Sequence, residues 1–97
     1  MRLKQIPLEV INGWSRNTLM AHLAIECVAV GDDSIVARMP VDQRTHQPMG
    51  LLHGGASMAL IESIGSMGSC LLIDLQTEQP VGIEINANHV RAVTSGF

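Results

Sequence analysis

Residues 50–73 read "GLLHGGASMALIESIGSMGSCLLI", a run of apolar and small residues that carries one carboxylate, Glu62. Gly54 and Gly55 open a segment in which Met58, Ile61, Ile64 or Gly65, and Gly68 recur at three- and four-residue intervals. That spacing predicts one helix of about five turns. Gly65 and Gly68 cost helix stability relative to alanine, so their presence predicts that another backbone, such as a sheet wrapped around the helix, approaches closely. A carboxylate withdrawn from water into such a helix without a partner costs several kcal/mol or shifts its pKa. Glu62 therefore calls for a chemical reason to be there. The run is about long enough to span a bilayer, but Glu62, His53 and the interspersed serines and glycines argue against insertion.

On the N-terminal side, "LEVINGWS" places Leu8, Ile11 and Trp14 at helical spacing, which predicts a short amphipathic helix closing near Gly13 and serving as a lid or brace. "HLAIECVAV" (His22 to Val30), a turn at Gly31 to Asp33, and "SIVARMPV" with Ile35, Ala37 and Met39 on one face together predict a β-hairpin. "DQRTHQPMG" is a polar loop ending in Gly50, of the kind that carries function. Beyond the helix, "VGIEINANHVRAV" resumes period two, with Val81, Ile83, Ile85, Ala87 and His89 on one face of a long strand.

The 97 residues fit one domain, 1–97. Apolar content of 46% against 15% charged residues exceeds that of a disordered segment and points to surface buried between subunits, hence an oligomer. A net charge of -3, scattered basic residues and the near absence of aromatic rings weigh against nucleic-acid binding. Cys27 and Cys70 form no C-x-x-C pair and suit reduced thiols in a cytosol. "MRLKQIPLEV" has no apolar core or cleavage site of a secretory signal. The four histidines have no spacing that puts two ligands on one helical face, so a metal is not expected. A serine-hydrolase elbow is missing as well, because the serine of "GGAS" falls inside the predicted helix.

Glu62 and Ser66 lie four apart and share a helix face, whereas His53 and Gly54 sit at the helix N-terminus. Free backbone N–H groups there suit an oxyanion developing on an attacked carbonyl. Glu62 lies about two turns farther along, too far to act beside those amides on one carbon. Two antiparallel copies related by a dyad would bring the N-terminus of one helix beside Glu62 of the other.

"QPMGLLHGGASMALIESIGS" followed by "VGIEINANHVRAV" resembles the hotdog-fold acyl-CoA thioesterases, in the branch of the 4-hydroxybenzoyl-CoA and 1,4-dihydroxy-2-naphthoyl-CoA enzymes. The resemblance implies an α+β hotdog fold, a curved antiparallel sheet wrapped around one long central helix. It also implies hydrolysis of an acyl-CoA thioester, with an aromatic acyl group, at sites shared between protomers of a homodimer or tetramer. CoA belongs to the substrate and no separate cofactor is needed. By position, Glu62 matches the catalytic acid, acting as general base or nucleophile, and the Gly54 amide matches the oxyanion donor. Gln47 and His53 match residues that orient the carbonyl and the helix entrance, and Ser66 matches a hydroxyl assisting Glu62 or the water. Gly82 and the run His89, Val90, Arg91 and Ala92 match a region lining the CoA groove, where Arg91 could pair with a phosphate.

Each residue also has a structural reading. Glu62 could be an acid paired within a dimer interface. His53 could bond only to turn amides, and Ser66 could bond back to the preceding helical turn. Gln47 could be an ordinary loop amide and Arg91 a solvated cation. A hotdog module that binds acyl-CoA or serves only in assembly is the non-catalytic alternative. The resemblance further implies about three more antiparallel strands after Phe97, so the chain is expected to be either a C-terminally truncated hotdog with an incomplete CoA groove, the favoured reading, or one that completes its sheet by pairing with other copies through the open edge.

Overall fold

The expected helix spans Gly54–Cys70, close to five turns. In the computed structural model, residues 2–74, 76, 78, 82, 85, 87, 89 and 91–97 are described. Among them the elements run α1 (Leu8–Gly13), α2 (Leu19–His22), β1 (Glu26–Val30), β2 (Ile35–Arg38) and α3 (Gly54–Cys70). The strand expected over Val81 to Val93 falls mostly on residues outside that set.

β1 and β2 form the expected antiparallel hairpin, pairing Glu26 with Arg38 and Val30 with Ile35 around the turn at Gly31 to Asp33. The register shifts between Cys27 and Ala29, so one residue bulges out of the ladder. The strand begins later than the sequence suggests, because His22 belongs to the short helix α2 instead. Four residues are too few to leave a helical period in the sequence.

Ile11 of α1, Cys27 of β1 and Leu71 just past α3 are the most deeply buried apolar side chains, joined by Ile25, Met39, Ala56 and Met67. α3 turns Ala56, Leu60 and Met67 towards this core, and Leu71 joins them just past its end. The repeat of Met58, Ile61, Ile64 or Gly65, and Gly68 marks the helix but not its inner face, since Ile61 is 55% exposed and apolar residues lie all round α3. The close backbone approach expected at Gly65 and Gly68 is corrected: a Cβ at Gly65 would meet nothing within 4 Å, and one at Gly68 would stand 3.7 Å from the Ile35 side chain of β2, an ordinary contact.

One polar contact sets the brace. The Asn12 side chain donates to the Cys27 carbonyl at 3.0 Å and accepts from the Cys27 N–H at 2.8 Å. A primary amide thus takes the place of a neighbouring strand on the free side of β1, beside the bulge. Replacing it with a similar-sized apolar group leaves two part-buried backbone groups without their partner. Asn12→Leu is expected to lower unfolding free energy by roughly 1–3 kcal/mol, read as an earlier midpoint in urea with an unchanged slope.

Candidate active site

The site begins at a buried hydroxyl in the loop before α3. Thr45, 2% exposed, donates through Oγ1 to the Pro40 carbonyl at 2.8 Å, and its own carbonyl accepts the His53 N–H at 2.7 Å. His53 is then the N-cap of α3, its Nδ1 accepting the Gly55 N–H at 2.8 Å. Histidine is an unusual cap, but an imidazole nitrogen can accept as a serine oxygen does. The Ala56 and Ser57 amides turn back to the His53 carbonyl. The Gly54 amide is left with no acceptor among the described residues, as a helix start allows.

Gly54 borders a cavity of about 550 Å³ together with Gln47, Ser57, His89, Arg91 and Ala92. The exposed His89 imidazole lies close over Gly54, where a Cβ would stand 2.7 Å from Nε2 and the ring would have to turn aside to admit it. The Gln47 side-chain oxygen is committed to its own turn, accepting from the Met49 N–H and, at 3.5 Å, the Leu51 N–H. Gly50, with φ +76°, closes that turn in the left-handed region. The Gln47 Nε2 has no acceptor among the described residues and is the side chain's remaining donor. Arg91 and Ala92 are exposed at the cavity's edge. Val90 lies outside the described residues.

Glu62 lies elsewhere. It borders a separate cavity of about 290 Å³ with Ser66, Ser63 and Met20, so the pair expected to share a helix face does so. Its carboxylate is exposed and makes no hydrogen bond or ion pair among the described residues. The carboxylate withdrawn from water that the sequence suggested is therefore not found within one chain. Gly82 lies against it, so close that a Cβ would come within 2.5 Å of Glu62 Oε1. Ser66 makes no hydrogen bond among the described residues, whereas Ser69 bonds back to the Gly65 carbonyl at 2.9 Å. His53 borders neither cavity but a third, with Arg44 and His46. One chain thus brings together Gln47, Gly54, His89, Arg91 and Ala92, and separately Glu62, Ser66 and Gly82.

Sequence reasoning missed Thr45 and the ion pair that shapes its turn. Arg44 donates to both Asp42 oxygens through its side chain and to Oδ1 through its backbone N–H, the shortest contact being 2.6 Å. The Asp42-x-Arg44 spacing was the available signal. The Arg44 guanidinium, then the Arg44 N–H, hold the Asp42 carboxyl down to about 2 from 3.8.

These elements match known proteins. Pseudomonas aeruginosa PA1618 is 51% identical over 94 residues, which cover 96% of this chain and 65% of that protein. The proofreading thioesterase EntH of Cronobacter turicensis is 52% identical over 93 residues, 96% of this chain and 67% of that one. This chain belongs to the thioesterase superfamily. The superfamily's sequence profile matches residues 49–96, the stretch that contains Gly54 and Glu62. The crystal structure of a mutant of thioesterase PA1618 superposes with TM-score 0.93 at 48% identity, covering 99% of this chain and 70% of that one. Thioesterase HI1161 of Haemophilus influenzae gives 0.90 at 48% identity, covering 98% and 66%. The fold is accordingly the hotdog fold, α+β, with one long helix and an antiparallel sheet. The chain spans just under two thirds of PA1618, the first of these relatives.

The Asp42 pair predicts a pH effect of definite sign. A carboxyl whose folded pKa lies below its unfolded value stabilises the fold above about pH 4, and this contribution is lost as pH falls towards 2. Urea midpoints of wild type and Asp42→Asn should differ at pH 5 and converge by pH 2. A constant difference across that range would show that the Asp42 charge does not matter to the turn.

Proposed function

We propose that this chain hydrolyses acyl-CoA thioesters, in the cytoplasm, at paired sites that each combine Gly54 of one protomer with Glu62 of the other. The observation that carries the reading is the division of one helix between two cavities. Gly54, whose amide has no acceptor among the described residues, borders one, and Glu62, whose carboxylate has no partner among them, borders the other. Eight residues of α-helix separate them by about 12 Å, well beyond the reach of one reacting carbon. Antiparallel helices across a dyad remove that separation twice over.

In such a site the Gly54 N–H, at the positive end of α3, stabilises the oxygen that becomes negative when the thioester carbonyl is attacked. The free Gln47 Nε2 donates to the same carbonyl and fixes its direction. Glu62 takes a proton from the attacking water, or attacks the carbonyl itself to form an anhydride that water then opens. The C–S bond breaks, CoA leaves as the thiol, and the acyl group leaves as the acid. Ser66 lies beside Glu62 to hold the water. Gly82 lets the Glu62 side chain lie flat against the backbone. His89, Arg91 and Ala92 border the CoA side, where the exposed Arg91 guanidinium meets a CoA phosphate. An aromatic acyl group, as in 1,4-dihydroxy-2-naphthoyl-CoA, rests on the motif resemblance. Solved relatives add one support: two Staphylococcus aureus structures carry a glutamine-to-alanine and a glutamate-to-alanine exchange fifteen residues apart, the interval from Gln47 to Glu62.

Glu62→Gln should keep the fold and reduce turnover of acyl-CoA by at least about 10²-fold, measured as thiol release with the circular dichroism spectrum unchanged. Near-wild-type turnover would remove Glu62 from the catalytic role, whereas no thiol release by wild type across an acyl-CoA panel would favour a binding or assembly module. Subunit mixing tests the dyad. Glu62→Gln chains and Gly54→Val chains, each inactive alone, should regain one working site per mixed dimer. Verified exchange with no recovery would place both groups of a site in a single chain.

A further inference from the structure

Two of the cavities along α3 share a wall. The cavity holding Glu62 measures about 290 Å³ and the one reaching His53 and Gly55 at the helix entrance about 270 Å³, and Leu19 and Ala59 border both. Of these two shared residues Leu19 carries the larger side chain, and Ala59 only a methyl group. It is 62% exposed, a large apolar group held at the surface next to an unpartnered carboxylate.

The segment that carries Leu19 is held in a costly shape. Asn17 before it has φ 61° and Ala24 after it φ 55°, both in the left-handed region. Asparagine tolerates that conformation, whereas for alanine it is strained, and such strain persists only where the surroundings impose it. The surroundings do so here. Thr18 Oγ1 donates to the Ser15 carbonyl at 2.6 Å, the Met20 carbonyl accepts the Ile25 N–H at 2.9 Å, and the Ser15 hydroxyl lies 3.8 Å from the Met20 sulfur. α2 is thereby fixed over the middle of α3, with Met20 lining the Glu62 cavity and Leu19 closing its end towards the helix entrance.

We propose that Leu19 sets the length of acyl group the site accepts. The inference rests on Glu62 as the residue that acts on the thioester. The acyl group then runs from Glu62 over Ala59 towards the helix entrance and stops against Leu19. The chemistry of the cavity defines the class of acyl group. Of the described residues lining it, only Glu62 is charged, so an acyl tail ending in a carboxylate is repelled and an apolar one is accepted. Leu19→Ala would join the two cavities into one trough extending about 10 Å from Glu62 to Gly55 along α3.

The test uses the full chain and straight acyl-CoAs of graded length, with kcat/KM for each, for wild type, Leu19→Ala and Leu19→Phe. Affinity for non-hydrolysable acyl-CoA thioethers of the same lengths, measured by calorimetry in the Glu62→Gln background, separates the wall from the chemistry. Leu19→Ala should raise the long-to-short ratio of kcat/KM and of affinity about tenfold, and Leu19→Phe should lower it, as expected when room for a few methylenes is gained or lost. The same length profile in all three proteins overturns the proposal. So does an unchanged profile accompanied by dissociation of the oligomer in sedimentation, which would make Leu19 a contact between copies. Failure of the catalytic reading shows differently, as turnover retained by Glu62→Gln. If wild type cleaves none of the thioesters, the thioether affinities decide the matter alone, and a flat length dependence overturns the proposal.

Discussion

The two hydrogen bonds of His53, its N–H to the Thr45 carbonyl and its Nδ1 from the Gly55 N–H, decide where α3 begins. A helix that is apolar all round cannot choose its own phase, because every rotation buries similar side chains. Its ends must choose. At the far end Leu71 is fully buried, its N–H turns back to Met67 and Gly68, and its carbonyl accepts the Lys4 N–H at 2.9 Å. Between these anchors Ala56, Leu60 and Met67 face the core, while Glu62 and Ser66 face away from it. A start one residue later would rotate the sequence by about 100° and move Glu62 off its cavity. The same bonds leave the Gly54 amide without an acceptor among the described residues, so this amide and the position of the Glu62 carboxylate are both consequences of one cap.

The cap in turn depends on a loop whose polar groups satisfy one another. Thr45 is buried with its hydroxyl paired to Pro40, and the Asp42–Arg44 pair holds the preceding turn. The residues after the Glu62-facing segment come back to this loop: the Leu52 N–H bonds to the Val93 carbonyl, the Val41 N–H to the Gly96 carbonyl, and His46 Nε2 pairs with the Thr94 carbonyl at 3.1 Å. These bonds place the chain carrying His89, Arg91 and Ala92 beside Gly54. Phe97 reaches as far as β2, where the Arg38 guanidinium stands 4.8 Å from its ring. Loop, helix start and C-terminal segment form one hydrogen-bonded unit, and Gly54 lies at its centre.

Much of this was legible in the sequence where the signal is local. Gly54 and Gly55 marked the start of α3, its length followed from the unbroken period, and the Gly31 to Asp33 turn gave the hairpin with Ile35, Ala37 and Met39 on one face. The inner face of α3 was not legible, because Met58 and Ile61 are as apolar as Leu60 and Met67. The Asn12–Cys27 pairing and the buried Thr45 were not legible either. They are contacts between a side chain and backbone distant in sequence, and no spacing rule encodes them. α2 was hidden for another reason: two left-handed residues, not a periodic pattern, define its limits. At the site, the shared face of Glu62 and Ser66 could be read from helix geometry and the bonding of His53 to a turn amide was one of its two readings, whereas the grouping of Gln47 with Gly54 rested on the motif resemblance alone.

The lone carboxylate that drew attention in the sequence has a different energetic standing in the folded chain. Glu62 is exposed, so folding does not have to take its charge out of water, and no internal cation is needed to offset that cost. The cost arises only when something covers the cavity beside it. A thioester and an adjoining protomer would do so together, and covering strengthens every electrostatic interaction inside. The same cover would bring an N–H dipole towards the developing negative charge, which offsets part of the cost at the moment when charge moves from the acid to the substrate oxygen. On the proposed reading, a chain arranged in this way would keep its carboxylate hydrated until a second protomer and a thioester covered it, and the reactivity of Glu62 would then be coupled to the presence of substrate.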